Sequence, residues 1–374
     1  MKITKRCFLL WLLVLTIFNA CKQKERHVQR VEFAFDTVCS IQVFTSLQEK
    51  EAQDILDEAF AKLKQLETVF SPTLKESELY KLNENTAVNE IPISLELYHI
   101  IEESLHFAHL TSGAFNPCIG SLTKLWQPLW KGEAELPSRE EIENALKFVN
   151  YEDCTLLNGS ILKSPYIKLD LGASVKGYAT DCIKAILTEK GIKKAVIDLG
   201  GNVLVMQEDD ESKMKVGIKS PIIHESNKVA GYVEVKNKAI VTSGNYERFF
   251  ERGGKLYHHI ISSKTGYPVE NGLRSVTIIS DEAMISDILS TSCFVLGLEA
   301  SKTLLEKFPK VSAIFFLDDY EIVEVNNPFP FKLLDSRFSI KWTVWLKKVG
   351  EKKGGKTTKI IIWVNSFHLN FQNW

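Results

Sequence analysis

No C-x-x-C pair occurs among the seven cysteines Cys7, Cys21, Cys39, Cys118, Cys154, Cys182 and Cys293. Their scatter excludes a zinc ribbon and a disulfide framework, and all but Cys21 read as buried thiols. Neither sign of charge dominates, with Lys plus Arg at 46 against 47 for Asp plus Glu. That balance gives no electrostatic reason to expect nucleic acid or an acidic polymer as partner. The G-x-x-x-x-G-K-[ST] order of a P-loop is missing, and no repeat at a fixed period or dividing linker is visible. Past the first twenty residues, no apolar run is long enough to cross a bilayer. What is present is an ordinary globular balance, 45% hydrophobic and 25% charged, in a chain long enough to bury a substantial core.

The amino terminus is the first positive signal. Lys2, Lys5 and Arg6 precede an apolar run from Cys7 to Phe18, which ends at Asn19-Ala20 before Cys21. A basic start, a short apolar middle and a small residue before the cut describe a secretory leader over residues 1–20. Phe18-Asn19-Ala20-Cys21 resembles a bacterial lipobox, with Phe18 where Leu is usual, so Cys21 is expected to carry lipid. Residues 21–30 then form a tether, and the body faces the periplasm or the cell exterior.

Residues 31–335 are expected to form one α+β body, a helical part packed against a strand-rich part with the site between them. Val31–Phe44 reads as a strand pair or one long strand, and the apolar stripe Ala52, Ile55, Leu56, Ala59, Phe60, Leu63 and Leu66 as a buried helix face. Further helices are expected over about 95–110, after the Ser138…Glu141 capping box, over about 173–190 and over about 282–298. Short strands gather between Ala195 and Ile279, with a last one at Ser312–Leu317. Early helices followed by clustered strands argue for α+β rather than βαβ alternation. Residues 336–374 read as a basic and aromatic tail.

Four segments carry candidate chemistry. Ala114-Phe-Asn-Pro-Cys-Ile-Gly120 is an aromatic-bearing loop, and alone it is equally a simple turn. In Leu169-Asp-Leu-Gly-Ala-Ser-Val-Lys-Gly177, a strand is expected to end at Asp170 and a helix to begin. Its first N–H groups, with Lys176, suit a phosphate. His258 and His259 are adjacent, so on a strand only one can face a given site. Asp287 and Thr291 lie one helical turn apart and can offer hard oxygens to one Mg²⁺, or serve as a helix-start Asp and a packed Thr.

In this order, with Phe35-Asp-Thr37, Ser77-Glu-Leu79, Leu82-Asn83, Asp198-Leu-Gly-Gly-Asn202 and Val216-Gly-Ile-Lys-Ser-Pro221, the segments resemble the FAD:protein FMN transferases, the ApbE-type flavin transferases. The resemblance spans roughly residues 31–325. It implies FAD contacts at Phe35, Ala114, Phe115, Asn116, Asp170, Lys176 and Ile261, with Phe35 where a Met and Asn116 where an Asp are usual. It implies Mg²⁺ on Asp287, Thr291 and the Ala173 carbonyl, and His259 as general base. Thr73 stands near a family tyrosine, and Ser290 where some members carry Asp. The implied partners are FAD and a protein with an acceptor Thr or Ser, such as a membrane redox-pump subunit. The rival expectations are an Mg²⁺-dependent FAD pyrophosphatase and a flavin-binding lipoprotein without catalysis.

Overall fold

A computed structural model describes residues 25–341, apart from positions 88, 131, 133, 134, 209–211, 224, 226 and 227, and the backbone of 345–348 and 360–363. The leader, Cys21 and most of the tail lie outside the described residues. Nine strands form one sheet in strict chain order: β1 (Arg26–Ala34), β2 (Thr37–Thr45), β3 (Lys194–Leu199), β4 (Asn202–Gln207), β5 (Lys238–Gly244), β6 (Leu273–Ser280), β7 (Ser312–Leu317), β8 (Glu321–Val325) and β9 (Ser339–Lys341). Neighbours are antiparallel except β8 and β9, which run parallel. Helices enter as insertions. Between β2 and β3 come α1 (Glu49–Phe70), α2 (Glu78–Glu84), α3 (Leu95–Leu110), α4 (Gly120–Trp130), α5 (Arg139–Leu146) and α6 (Val175–Glu189). Between β6 and β7 come α7 (Ala283–Leu296) and α8 (Leu298–Leu305).

Strand alternation sends side chains to two cores. On one face Cys39, Ile41, Val43, Ile197, Val276, Ile278 and Phe315 join the α1, α6 and α7 stripes in the main core. All seven residues of the expected α1 stripe are buried there, and each large one contributes about 1.5–3 kcal/mol. On the other face Val205, Ile240, Ile279, Ile314 and Phe316 pack under a small sheet of Met214–Lys219, Val229–Val235 and Lys332–Leu333. This second core does not reach β1 and β2.

Helix α7 is buried almost all round, its small residues Ser286, Ser290 and Ser292 allowing close neighbours. Gly177 of α6 packs on it so tightly that an added Cβ would lie 2.5 Å from the Ala283 carbonyl oxygen. Gly177→Ala should therefore destabilise the fold by about 1–3 kcal/mol, despite alanine's better helix propensity, because backbone atoms cannot step aside. Thermal melting checks this, and an unchanged or higher Tm would mean that the close approach is dispensable.

The capping box is present: Ser138 Oγ accepts from the Glu141 N–H and Glu141 Oε2 from the Ser138 N–H. Other expectations need correction. β1 begins at Arg26 rather than Val31, since outward polar residues hide its alternation. No strand ends at Asp170; the chain after Lys163 is irregular until α6. The helix expected over about 282–298 is a single helix, Ala283–Leu296, that Gly297 at φ 79° stops, and an unexpected second helix follows at Leu298–Leu305. Ser312–Leu317 is not the last strand: β8 and β9 follow, with Phe338 buried in the second core, so residues 336–341 of the expected tail join the body.

Candidate active site

At one end of the sheet, β1 turns into β2, β3 into β4, β5 ends and β6 begins. Phe35 and Asp36 make the first turn with φ of 52° and 56°, a left-handed pair that usually calls for Asn and Gly. The Phe35 N–H is held by Glu67 Oε1 of α1 at 3.0 Å. Thr37 packs over Gly200, where an added Cβ would fall on its side chain. The first turn of α6 points into the same end of the molecule.

Three of the four segments are tied together by named contacts. The Gly120 N–H donates to the Lys168 carbonyl at 2.9 Å, and the Asp170 N–H to the Pro117 carbonyl at 2.8 Å. Ser263 Oγ donates to the Gly113 carbonyl at 2.5 Å, and the Trp126 indole N–H to the Gly266 carbonyl at 2.8 Å. Within the loop, Ala114 and Phe115 are buried and Phe115 meets Phe107 edge-on. Asn116 is engaged by the fold itself, its Oδ1 accepting from Cys118 N–H and its Nδ2 donating to the Val149 carbonyl. Asp170 Oδ1 accepts from Gly172 N–H at 2.8 Å, shaping the turn that presents Ala173 and Lys176. Ile261 is buried with Leu122 and Trp126 and bridges Pro268.

The fourth segment joins through Asp287, whose Oδ2 accepts from the Gly177 N–H at 2.9 Å. Asp287 and Asp170 are thus both fixed to the start of α6. Burial pushes the Asp287 carboxyl above the usual carboxylate range; the Lys176 ammonium, the Gly177 N–H and the Asn202 amide oppose the shift. Asn202 lies beside the carboxylate without a hydrogen bond of good geometry. Both of its amide atoms are buried and unpartnered. Thr291 and Ser290 hydroxyls meet Ser243 Oγ at 3.1 and 2.7 Å. A carboxylate, a threonine hydroxyl and an orphaned amide are hard donors that fit Mg²⁺, which takes few protein ligands alongside phosphates. Among the described residues no three of His, Cys, Asp and Glu gather at one point. Asn202, Ser243 and the Gly177 N–H were not readable as site groups from their own types; only tertiary register brings them to Asp287.

The two histidines do face opposite ways. His258 is buried, its Nδ1 accepting from the Ile260 N–H at 3.2 Å, so Nε2–H donates to the Val269 carbonyl at 2.8 Å. Burial holds it below its ordinary value near 6.5. The unfolded chain then binds a proton that the folded chain refuses, so this stability is present above about pH 6.5 and lost as pH falls. Tm should drop between about pH 7.5 and 5.5, and drop less in His258→Gln. Equal drops in both proteins would place the acid sensitivity elsewhere.

His259 stands edge-on to Trp130 with centroids 6.3 Å apart, its Nδ1 3.3 Å from the Arg248 carbonyl. A carbonyl only accepts, so neutral His259 carries its proton on Nδ1 and leaves the Nε2 lone pair free. Burial first, then His258, Arg248 and Lys176, push its imidazole down to about 3. The hydrogen bond to the Arg248 carbonyl opposes the shift without cancelling it, and His259, which keeps some exposure, is neutral at pH 7. Lys176 is the link: its charge acts on both His259 and Asp287. Among the described residues the indole N–H of Trp130, the ring beside His259, is buried without a hydrogen-bond partner. Thr73 sits in an exposed turn against Ser71, and among the described residues no contact ties it to these groups.

The ApbE family model matches residues 35–315. The chain is 33% identical over 339 residues to the FAD:protein FMN transferase of Treponema pallidum, covering 86% of this chain and 93% of the relative. It is 31% identical over 286 residues to that of Klebsiella pneumoniae, covering 75% and 88%. The crystal structure of the ApbE protein from Thermotoga maritima superposes with a TM-score of 0.70 at 31% identity, covering 79% of this chain and 96% of that one. The flavin transferase ApbE from Vibrio cholerae, at 23% identity, shares the fold with a TM-score of 0.70 over 84% and 99%.

Proposed function

The chain belongs to the ApbE family, and from that membership we propose that it moves the FMN half of FAD onto a hydroxyl of another protein. The observation that carries the mechanism is the anchoring of Asp287 to the Gly177 N–H at the start of α6, with the Lys176 charge acting on both Asp287 and a neutral His259. Phosphoryl transfer asks for positioning and charge neutralisation rather than covalent help from the protein. The Lys176 ammonium, with the positive end of α6 behind it, receives the FAD pyrophosphate, while the Val175 and Gly177 N–H groups are already bonded to the Leu171 carbonyl and Asp287. Phe35, Ala114, Phe115, Asn116, Asp170 and Ile261 line the flavin and nucleotide path. Asn116 acts there by shaping the loop, since its amide is already bonded to Cys118 and Val149. His259 Nε2 takes the proton of the acceptor threonine or serine. The hydroxyl oxygen then bonds to the phosphorus on the FMN side, and the bond to the other phosphate breaks, so that AMP leaves with the electron pair. Asp287, Thr291 and the Ala173 carbonyl are the groups to hold Mg²⁺, which when bound supplies positive charge to the pyrophosphate.

The test is the dependence of AMP release on acceptor. A protein bearing the acceptor hydroxyl should accelerate AMP release and retain flavin after denaturation. AMP release that ignores the acceptor would make water the nucleophile and the enzyme a pyrophosphatase.

The same reading places the body outside the cytoplasm on a lipid anchor at Cys21, facing membrane redox-pump subunits as acceptors. Several hydrocarbon chains hold a protein to a bilayer far better than one. Cys21→Ser should move the protein from the membrane to the soluble fraction on cell fractionation. Retention of the variant on membranes would discard the anchor.

A further inference from the structure

The outward face of the β1–β2 hairpin is unusually apolar for a free surface. Register pairs His27 with Phe44, Gln29 with Gln42, Val31 with Ser40 and Phe33 with Val38 on that face. Its opposite face is spoken for: Arg30 lies over Phe60 of α1 and pairs with Asp57, and Glu32 pairs with Lys64. At the Arg26 end the outward residues are self-satisfied, with His27 stacked on Phe44 and Gln29 bonded to Ser40. At the turn end they are not. Val31, Phe33 and Val38 are 52%, 69% and 60% exposed and contiguous, and the second core stops short of them. None of the eight outward residues is a carboxylate. Contiguous apolar exposure of this kind marks an interaction surface.

We propose that this face rests on the lipid bilayer to which the chain is anchored. The proposal builds on the Cys21 reading and adds the orientation of the body. What selects a bilayer over other occupants is where the chain outside the structure ends. Cys21 lies five residues before Arg26, the first residue of β1, and so the strand starts within about 17 Å of the lipidated cysteine. With its first residue held that close, the strand can lie along the membrane surface, and the side it then offers is either the α1-covered one or the apolar one. The apolar side costs least to bring into the interface. Phe33 and Val38 immediately flank the Phe35–Asp36 turn at the mouth of the site. Seating them in the interface holds that mouth at membrane level, where a membrane-bound acceptor presents its hydroxyl.

The experiment uses the full lipidated chain in vesicles of phosphatidylethanolamine and phosphatidylglycerol, with a thiol-reactive fluorophore placed by Phe33→Cys or, as control, by Leu95→Cys. Leu95 is 80% exposed at the start of α3, a helix that packs on α1 away from this face. Selective labelling is feasible because Cys39, Cys118, Cys154 and Cys293 are buried and Cys182 is half-buried. Lipids carrying a quencher near the headgroup should dim the Phe33 probe about twofold or more and leave the Leu95 probe nearly unchanged. Equal dimming of both probes, with the protein still floating with the vesicles, overturns the orientation and leaves the anchor standing. Failure to float overturns both. A Phe33 probe already shielded in the soluble Cys21→Ser chain would assign the face to a second copy or to the chain's own tail, and would also overturn the proposal.

Discussion

Asp287→Asn should lower FMN transfer by on the order of a hundredfold or more while leaving Tm unchanged or raised. The substitution keeps the shape and the acceptor for the Gly177 N–H but removes the ionised oxygen that the proposed Mg²⁺ site depends on. Burial already works against the charge, because the carboxyl sits above the usual range despite Lys176 nearby. A buried charge with incomplete compensation is a cost to the fold that a neutral amide avoids. Loss of activity with gain of stability is the signature of a group kept for function. FAD affinity should weaken less than turnover, since Lys176 and the flavin path remain. Normal transfer by Asp287→Asn would remove the metal role; a large fall in Tm would make Asp287 a structural residue.

The second large effect is expected at His259. His259→Ala should reduce transfer by about a hundred- to ten-thousand-fold, the usual share of a positioned general base. The remaining activity should rise with pH as hydroxide replaces the imidazole. In the wild type, cations and burial hold free His259 to about 3, which makes it a weak base until the anionic pyrophosphate arrives beside Lys176. The acid limb of kcat, which reports the complex, should therefore lie at higher pH than that of kcat/KM, which reports the free enzyme. Coincident limbs would mean that substrate charge does not tune this histidine, and near-normal transfer by His259→Ala would remove it from catalysis.

Much of this was legible in the sequence wherever local pattern and packing agree. The α1 stripe, the Ser138 capping box and the Val229–Val235 strand come from periodicity and side-chain chemistry that no tertiary contact overrides. The choice between His258 and His259 was partly visible, since adjacent residues of extended chain diverge, but which one turned inward depended on the Val269 and Arg248 carbonyls eleven residues to either side. The site's polar floor was not legible. Asn202 reaches Asp287 through register, Ser243 reaches Ser290 and Thr291 from across α7, and Asp181 caps α7 from a different helix by accepting from the Ala283 and Met284 N–H groups. The α7 helix start shows no capping residue of its own, so sequence alone placed its beginning without explaining it. The strands β8 and β9 were missed because β8 is boxed between turn residues Tyr320 and Asn326 at positive φ, and β9 is only three residues long.

The central claim is that the acceptor is a protein hydroxyl and not water. Incubation of the full chain with FAD, Mg²⁺ and a protein carrying the acceptor threonine, followed by intact-mass measurement of that protein, tests it most directly. A gain equal to one FMN, with one AMP released per acceptor modified and no gain when the threonine is replaced by valine, is the predicted result. Free FMN and AMP with an unmodified acceptor would contradict it.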